Sequence, residues 1–399
     1  MSVRKRSWKN ADGTETTVWV ADVADATGHR ERRQFDSRKE ADAFRIATEG
    51  QMLAGTFRGD AAKFTVKDAA VAFLDYCEGR RQRRERMTTK NYKVMEGHVY
   101  NYICPDPKRH EGKKRVARLK LFDGGIKMSN LRTRVVTDFR DRLREAGVTV
   151  VTTRKILSTL QQIVGNAVSL DWVAINVAKG VKVIGRREEG ARKVVPPSKE
   201  AIRALLAVAD QDFRVKLAFA SATGIRAGEL HALRWHHLDL AKAEVTIETR
   251  VDSYGDEDVT KTAAGMRTIP LSQQLVLMLK EWKLRTKRKK AEDLVFPNKR
   301  GWYTSHDNMV KRKFLPLFDL VEEKYKKEGL NAPPPERFNW HALRHFAVSC
   351  WIEADLKPKT VQTFAGHSSL QVTMDRYGHL FKSDDHKRAM DAIADNMFG

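Results

Sequence analysis

Cysteine is scarce in this chain: three residues, Cys77, Cys104 and Cys350, among 399. Scattered and odd in number, they exclude a disulfide framework and a cysteine-based metal cluster, and they fit a reducing cytoplasm. No apolar run approaches the length of a membrane-spanning helix, and Met1–Arg6 leads into no signal-peptide core. Low-complexity tracts and internal repeats are missing too. Acid is in deficit: 51 Asp and Glu stand against 74 Lys and Arg, a formal net charge of +23. A basic chain with no membrane segment points to a polyanionic partner, nucleic acid first. The length allows two or three domains.

The chain opens on a small unit. Thr17–Val23 alternates like a strand, with a strand around Trp8 before it and Arg33–Phe35 after it. Turns at Asn10–Gly13 and Ala26–His29 separate the three, and Asp36-Ser37 can cap a helix from Arg38 to about Leu53. Thr65 opens a second, helical unit, with Ala69, Phe73, Leu74 and Cys77 on one buried face. Arg80, Arg81, Arg83, Arg84 and Arg86 then concentrate charge. Further helices start at Thr88/Thr89 and run over about Arg134–Ala146 and Val151–Leu170. Lys113, Lys114 and Arg115 lie in a basic loop between them. These two basic clusters are candidates for phosphate contact. Residues 186–197 are charged, contain Gly190 and end in Pro196-Pro197, as an interdomain linker would; Ser198 then caps a helix.

The chemistry gathers near the other end. Asn339–His345 reads Asn-Trp-His-Ala-Leu-Arg-His. With Asn339 as N-cap, a helix puts His341, Arg344 and His345 on one wall, at i, i+3 and i+4, and Leu343, Ala347, Cys350 and Ala354 on a buriable back. An arginine fork between two imidazoles suits a phosphate. A solvated polar face is the plainer alternative. A zinc site is a third, but the glutamate of the zinc-protease motif is missing and an arginine repels a cation.

Upstream, Thr223–Leu230 reads Thr-Gly-Ile-Arg-Ala-Gly-Glu-Leu, followed by Leu233-Arg234-Trp235 and Leu238-Asp239-Leu240. Lys261 lies in a hairpin between strands Val245–Thr249 and Arg267–Leu271. The trio follows, then Gly366-His367 and Asp375-Arg376-Tyr377. In this order and context the set resembles the catalytic signature of tyrosine recombinases, the phage-type integrases, from about Pro197 onward. One departure is Ala365, where the family often has leucine.

The resemblance implies a site-specific recombinase that cleaves and rejoins DNA through a 3′-phosphotyrosine, with no metal and no cofactor. Tyr377 would be the nucleophile. Arg226 and Arg344 would clamp the non-bridging oxygens, and Lys261 would protonate the leaving 5′-oxygen. His341 and His367 would hydrogen-bond the phosphate or shuttle the tyrosyl proton; Glu229 and His345 would support the arginines. The implied fold is mixed and multidomain. A small N-terminal β-sheet plus helix domain (1–62) would bind arm-type DNA. An all-α core-binding domain (63–185) and a linker (186–197) would follow. A mainly α (α+β) catalytic domain (198–399) would end in a tail helix with Met390, Ile393, Ala394 and Met397 in one stripe. Expected partners are double-stranded attachment sites, a homotetramer joined through that helix, and an accessory bending or directionality factor. Three other readings share features: a chromosome-dimer-resolving recombinase, which the N-terminal unit argues against, a non-catalytic DNA-binding protein, which the intact Tyr377 and arginines argue against, and a relaxing topoisomerase.

Overall fold

The structure, a computed structural model, describes residues 2–24, 30–54, 58–106, 122–185, 194–259, 265–330, 333–381 and 386–398. By packing the chain divides into two compact units, Met1–Gly190 and Ala191–Gly399.

The first unit opens on β1 (Ser2–Lys9), β2 (Glu15–Ala24) and β3 (Arg30–Phe35), an antiparallel sheet with β2 central. Strand alternation sends Ala21 and Val23 to one face, where they are fully buried under α1 (Arg38–Leu53). Phe35 from that face meets Phe44 at 5.3 Å between rings. Ser37 caps α1 by accepting from the Glu40 amide at 3.2 Å. The opposite face carries Arg4, Arg6 and Trp8, all exposed. The turn expected at Ala26–His29 lies outside the described residues.

Next comes a helical core. Thr65 and Asp68 form a reciprocal capping box on α2 (Val66–Gln82), with bonds of 2.8 and 3.2 Å. Thr88 caps α3 (Thr89–His98); α4 (Thr133–Glu145) and α5 (Val150–Ser169) complete the set. On α4, Val136, Phe139 and Leu143 are fully buried at helical spacing while arginines occupy the other side. They close on Phe73, Ile103, Ile156, Leu160 and Ile163.

The Arg80–Arg86 segment is less of a free cationic patch than its sequence suggests. Arg81 pairs with Glu78 at 2.6 Å, Arg83 with Glu85 at 2.6 Å, and Arg80 lies 3.8 Å from Glu85. Arg84 and Arg86 sit at positive φ in the turn after α2. Lys113, Lys114, Arg115 and the segment 186–193 lie outside the described residues.

The second unit runs α6 (Lys199–Val208), α7 (Gln211–Thr223) and α8 (Ala227–Ala232). Strands β4 (Leu238–Asp239), β5 (Glu244–Ile247), β6 (Thr249–Val251), β7 (Glu257–Val259) and β8 (Arg267–Pro270) follow. Helices α9 (Gln273–Arg285), α10 (His306–Met309), α11 (Leu315–Lys327), α12 (Ala342–Glu353), α13 (Pro358–Ala365), α14 (Leu370–Tyr377) and α15 (His386–Phe398) complete it. Ser198 caps α6 as expected. The core gathers Leu217, Phe219, Leu230, Leu279 and Phe314, all fully buried.

Three local expectations need correction. The strand expected over Val245–Thr249 breaks at Glu248: β5 pairs with β4 and β8, whereas β6 pairs with β7 in a separate hairpin. On α12, Cys350 is only half-buried and Ala354 is exposed; Val348 and Ile352 take their places in the core. Leu343 and Ala347 are buried as expected, and the packed face continues through Arg344, Val348 and Ile352. Asn339 caps a turn before the helix, accepting from the Ala342 amide at 3.1 Å, and α12 itself starts at Ala342.

Candidate active site

Glu229 holds the site's charges together. It sits at the third position of α8, whose N-cap is Arg226. Its carboxylate accepts from the Arg226 amide at 3.0 Å and from Arg226 Nη1 at 2.9 Å. It also accepts from Arg267 Nη2 at 2.7 Å and Nη1 at 3.2 Å. Burial alone would raise the Glu229 pKa, but the Arg267 bond and the Arg267 and Arg226 charges outweigh it and hold the carboxyl below its usual value. What seats α8 is a glycine: a Cβ on Gly228 would come within 2.6 Å of the Val251 carbonyl oxygen of β6.

Three arginines converge on the C-terminal end of α13. Arg267 Nε donates to Phe364 O at 2.8 Å, Arg344 Nη2 to Ala365 O, and Arg226 Nη2 to Gly366 O at 2.7 Å. Carbonyls there have no partner within the helix, and the helix dipole favours cations at that end. Arg344 also donates to Gly224 O at 2.8 Å, where Gly224 ends α7 at φ 58. Arg344 is buried; burial first, then Arg226 and Arg267, pull its pKa down to about 9, so it stays protonated at neutral pH. Three guanidiniums against one carboxylate leave two positive charges in excess (3 − 1 = 2). That is an anion site, and guanidinium has donors to spare: Arg344 uses two of its five N–H groups on carbonyls.

Tyr377 ends α14 and is 1% exposed. Its hydroxyl lies 2.6 Å from His345 Nδ1. Burial raises its pKa, opposed by the nearby charges of Arg344, Arg376 and Arg226. The His367 ring stacks on the Tyr377 ring, centroids 6.1 Å apart and planes 15° apart, and its Nδ1 bonds Thr373 Oγ1 at 2.9 Å. His341 packs edge-on to His345 at 4.8 Å. Burial and the surrounding arginines depress the imidazoles: His367 to about 3, His341 to about 4, and His345 also below its usual value.

Of the residues singled out in the sequence, Arg226, Glu229, Arg344, His345, His367 and Tyr377 thus meet in one place, with His341 beside them. Lys261 lies outside the described residues. The structure differs from expectation at His345, which bonds the tyrosine hydroxyl rather than an arginine. Arg267 was not singled out at all. Its signal was present: it stands in the inward phase of an alternating strand, with Ile269.

Comparison with known proteins identifies relatives of this chain. Residues 198–384 match the phage integrase family model. A XerC-like tyrosine recombinase of Caldanaerobacter subterraneus is 26% identical over 324 residues, covering 74% of this chain and 76% of that protein. The ICEBs1 integrase of Bacillus subtilis is 25% identical over 300 residues, 72% of this chain and 78% of its own. In fold, the chain is similar to the Tn1549 transposon integrase, solved with a circular intermediate DNA (TM-score 0.58, 17% identity, 82% of this chain and 98% of that one). It is also similar to a lambda integrase dimer bound to a core site (TM-score 0.50, 14% identity, 95% and 97%). Over residues 198–384 the chain belongs to the phage integrase family, and the relatives it matches are tyrosine recombinases, a family whose members cleave and rejoin DNA through a tyrosine nucleophile.

Proposed function

We propose that Tyr377 attacks a DNA phosphodiester while Arg226 and Arg344 hold its non-bridging oxygens, in an integrase that moves a phage or another mobile element. The observation that carries this reading is the tyrosine hydroxyl set within the field of a cluster with two uncompensated positive charges. A phosphorane transition state gathers negative charge, and cations fixed in a water-poor site stabilise it more than the ground state. Arg267 and Glu229 keep Arg226 in place. His341 and His367, neutral at pH 7, each have an N–H to donate toward phosphate; His367 keeps Nε2 for this because Nδ1 faces Thr373. Lys261 supplies the proton to the leaving 5′-oxygen. The bond energy stays in the phosphotyrosine, so rejoining needs no external energy source.

The sheet face away from α1, with Arg4, Arg6 and Trp8, is the surface for arm-type DNA, and the helical segment over 63–185 is the one for core sites. The tail helix α15 exposes Met390, Ile393 and Met397. Its docking place is a neighbouring copy's cleft of about 430 Å³ between Pro196, Phe346, Cys350, Ile352 and Leu380. Tetramer assembly follows from this exchange.

The test is plasmid cleavage. The protein should nick and rejoin only supercoiled DNA carrying its attachment sites, with EDTA present, and leave a covalent adduct on denaturation. Relaxation of any plasmid would instead mark a topoisomerase. The leaving-group role is tested separately: Lys261→Ala should be rescued by a substrate with a 5′-thio leaving group, which needs no acid, and Arg344→Ala should not.

A further inference from the structure

Of the three imidazoles near Tyr377, His345 makes the hydrogen bond to its hydroxyl. His345 Nδ1 lies 2.6 Å from Tyr377 Oη. The His367 ring is stacked face to face behind the tyrosine, with its Nδ1 committed to Thr373 Oγ1, a fully buried group. His341 meets His345 edge-on, one helical turn back.

From this placement we infer that His345 is the catalytic base of the cleavage step, accepting the Tyr377 proton as the phenol attacks phosphorus. The inference rests on the reading that Tyr377 is the nucleophile. A tyrosine O–H donating to Nδ1 puts the ring's own proton on Nε2. In the step, the Oη–H bond breaks and its proton passes to the Nδ1 lone pair. The Oη–P bond forms, the P–O5′ bond breaks, and the 5′-oxygen takes a proton from the Lys261 ammonium. Rejoining runs the same transfers backwards, so His345 returns the proton to the departing tyrosinate.

The charge around His345 suits a base. Arg344 and His341 on its own side and Arg376 and Tyr377 on α14 face it, and burial followed by the Arg376 and Arg344 charges lowers its pKa. The ring is therefore neutral at physiological pH. An accepted proton sits beside two arginines and is readily handed back. Tyr377 itself is held above its usual pKa by burial, so without an acceptor its proton stays in place.

The experiment is single-turnover cleavage of a nicked suicide substrate by full-length protein, with half-site binding measured alongside. His345→Ala should bind normally and cleave roughly 10²-fold or more slowly, as loss of a general base does. Free imidazole should restore much of the rate, more so as pH rises and imidazole loses its proton. His345→Gln, which can hold the hydroxyl but not take its proton, should stay slow. A 5′-thio substrate should rescue Lys261→Ala and leave His345→Ala slow. Wild-type cleavage by His345→Gln would make the contact a positioning one and overturn the assignment. Rescue of His345→Ala by the 5′-thio substrate would place it at the leaving group and overturn it too. If Tyr377→Phe still forms the adduct, it is the nucleophile assignment that fails.

Discussion

At the scale of residues, the site is a problem in buried charge, and Glu229 is its solution. Removing one partner of a buried ion pair leaves the other uncompensated, at about 3–5 kcal/mol. Glu229→Gln should therefore unfold at markedly lower urea concentration and lose cleavage, because Arg226 and Arg267 lose their common anchor. The pH dependence has a definite sign. A carboxyl whose folded pKa lies below its ordinary 4.5 stabilises fully above that value, and the contribution fades as pH falls through the lower folded one. Urea titrations of wild type and Glu229→Gln should thus differ most near neutrality and converge toward acid. A constant difference down to acid pH would contradict this. Seven of the eight residues gathered here were legible in the sequence, Arg226, His341, Arg344, His367 and Tyr377 as catalytic candidates and Glu229 and His345 as supporting ones, because each stands in a short local signature. Arg267 was not, since its partners Glu229 and Phe364 are remote in sequence and only the folded strand brings them together.

At the scale of elements, local chemistry was readable and tertiary chemistry was not. Ser37, Thr65, Thr88 and Ser198 are caps that bond an amide three residues on, so the sequence alone locates those helix starts. The break after Ile247 could not be read, because Val245–Thr249 alternates without interruption. What splits it is the choice of partner: β5 pairs with β8, and β6 turns to β7 and to α8. That contact sets where Arg226 and Glu229 stand. Gly228→Ala puts a methyl 2.6 Å from the Val251 carbonyl oxygen, and backbone rather than a flexible side chain has to give way. Overpacking of this kind costs about 1–3 kcal/mol. The variant should melt lower and cleave more slowly, with half-site binding largely kept. A Gly228→Ala protein with wild-type melting and cleavage would show that α8 has room to shift.

For the whole molecule, charge and the tail are the levers. With a net charge of +23, affinity for DNA should fall steeply with salt, as phosphate neutralisation releases counterions. Deleting residues 1–60 should abolish arm-site binding while core-site cleavage persists; loss of core cleavage would make the N-terminal unit structural. The α15 stripe is too short to be stable alone, and burying its three large apolar side chains contributes roughly 4–9 kcal/mol before ordering costs. Truncation after Phe381 should weaken synapsis and strand exchange more than half-site binding. Recombination that falls only in step with the melting temperature would place the helix on its own subunit.

Every role proposed for this site depends on Tyr377 forming the bond to DNA. Tyr377→Phe keeps the ring that stacks on His367 and removes only the hydroxyl that meets His345. On a nicked suicide substrate, the variant should bind its half-site like wild type and give no SDS-resistant protein–DNA adduct, while wild type accumulates one. An adduct formed by Tyr377→Phe would contradict the assignment.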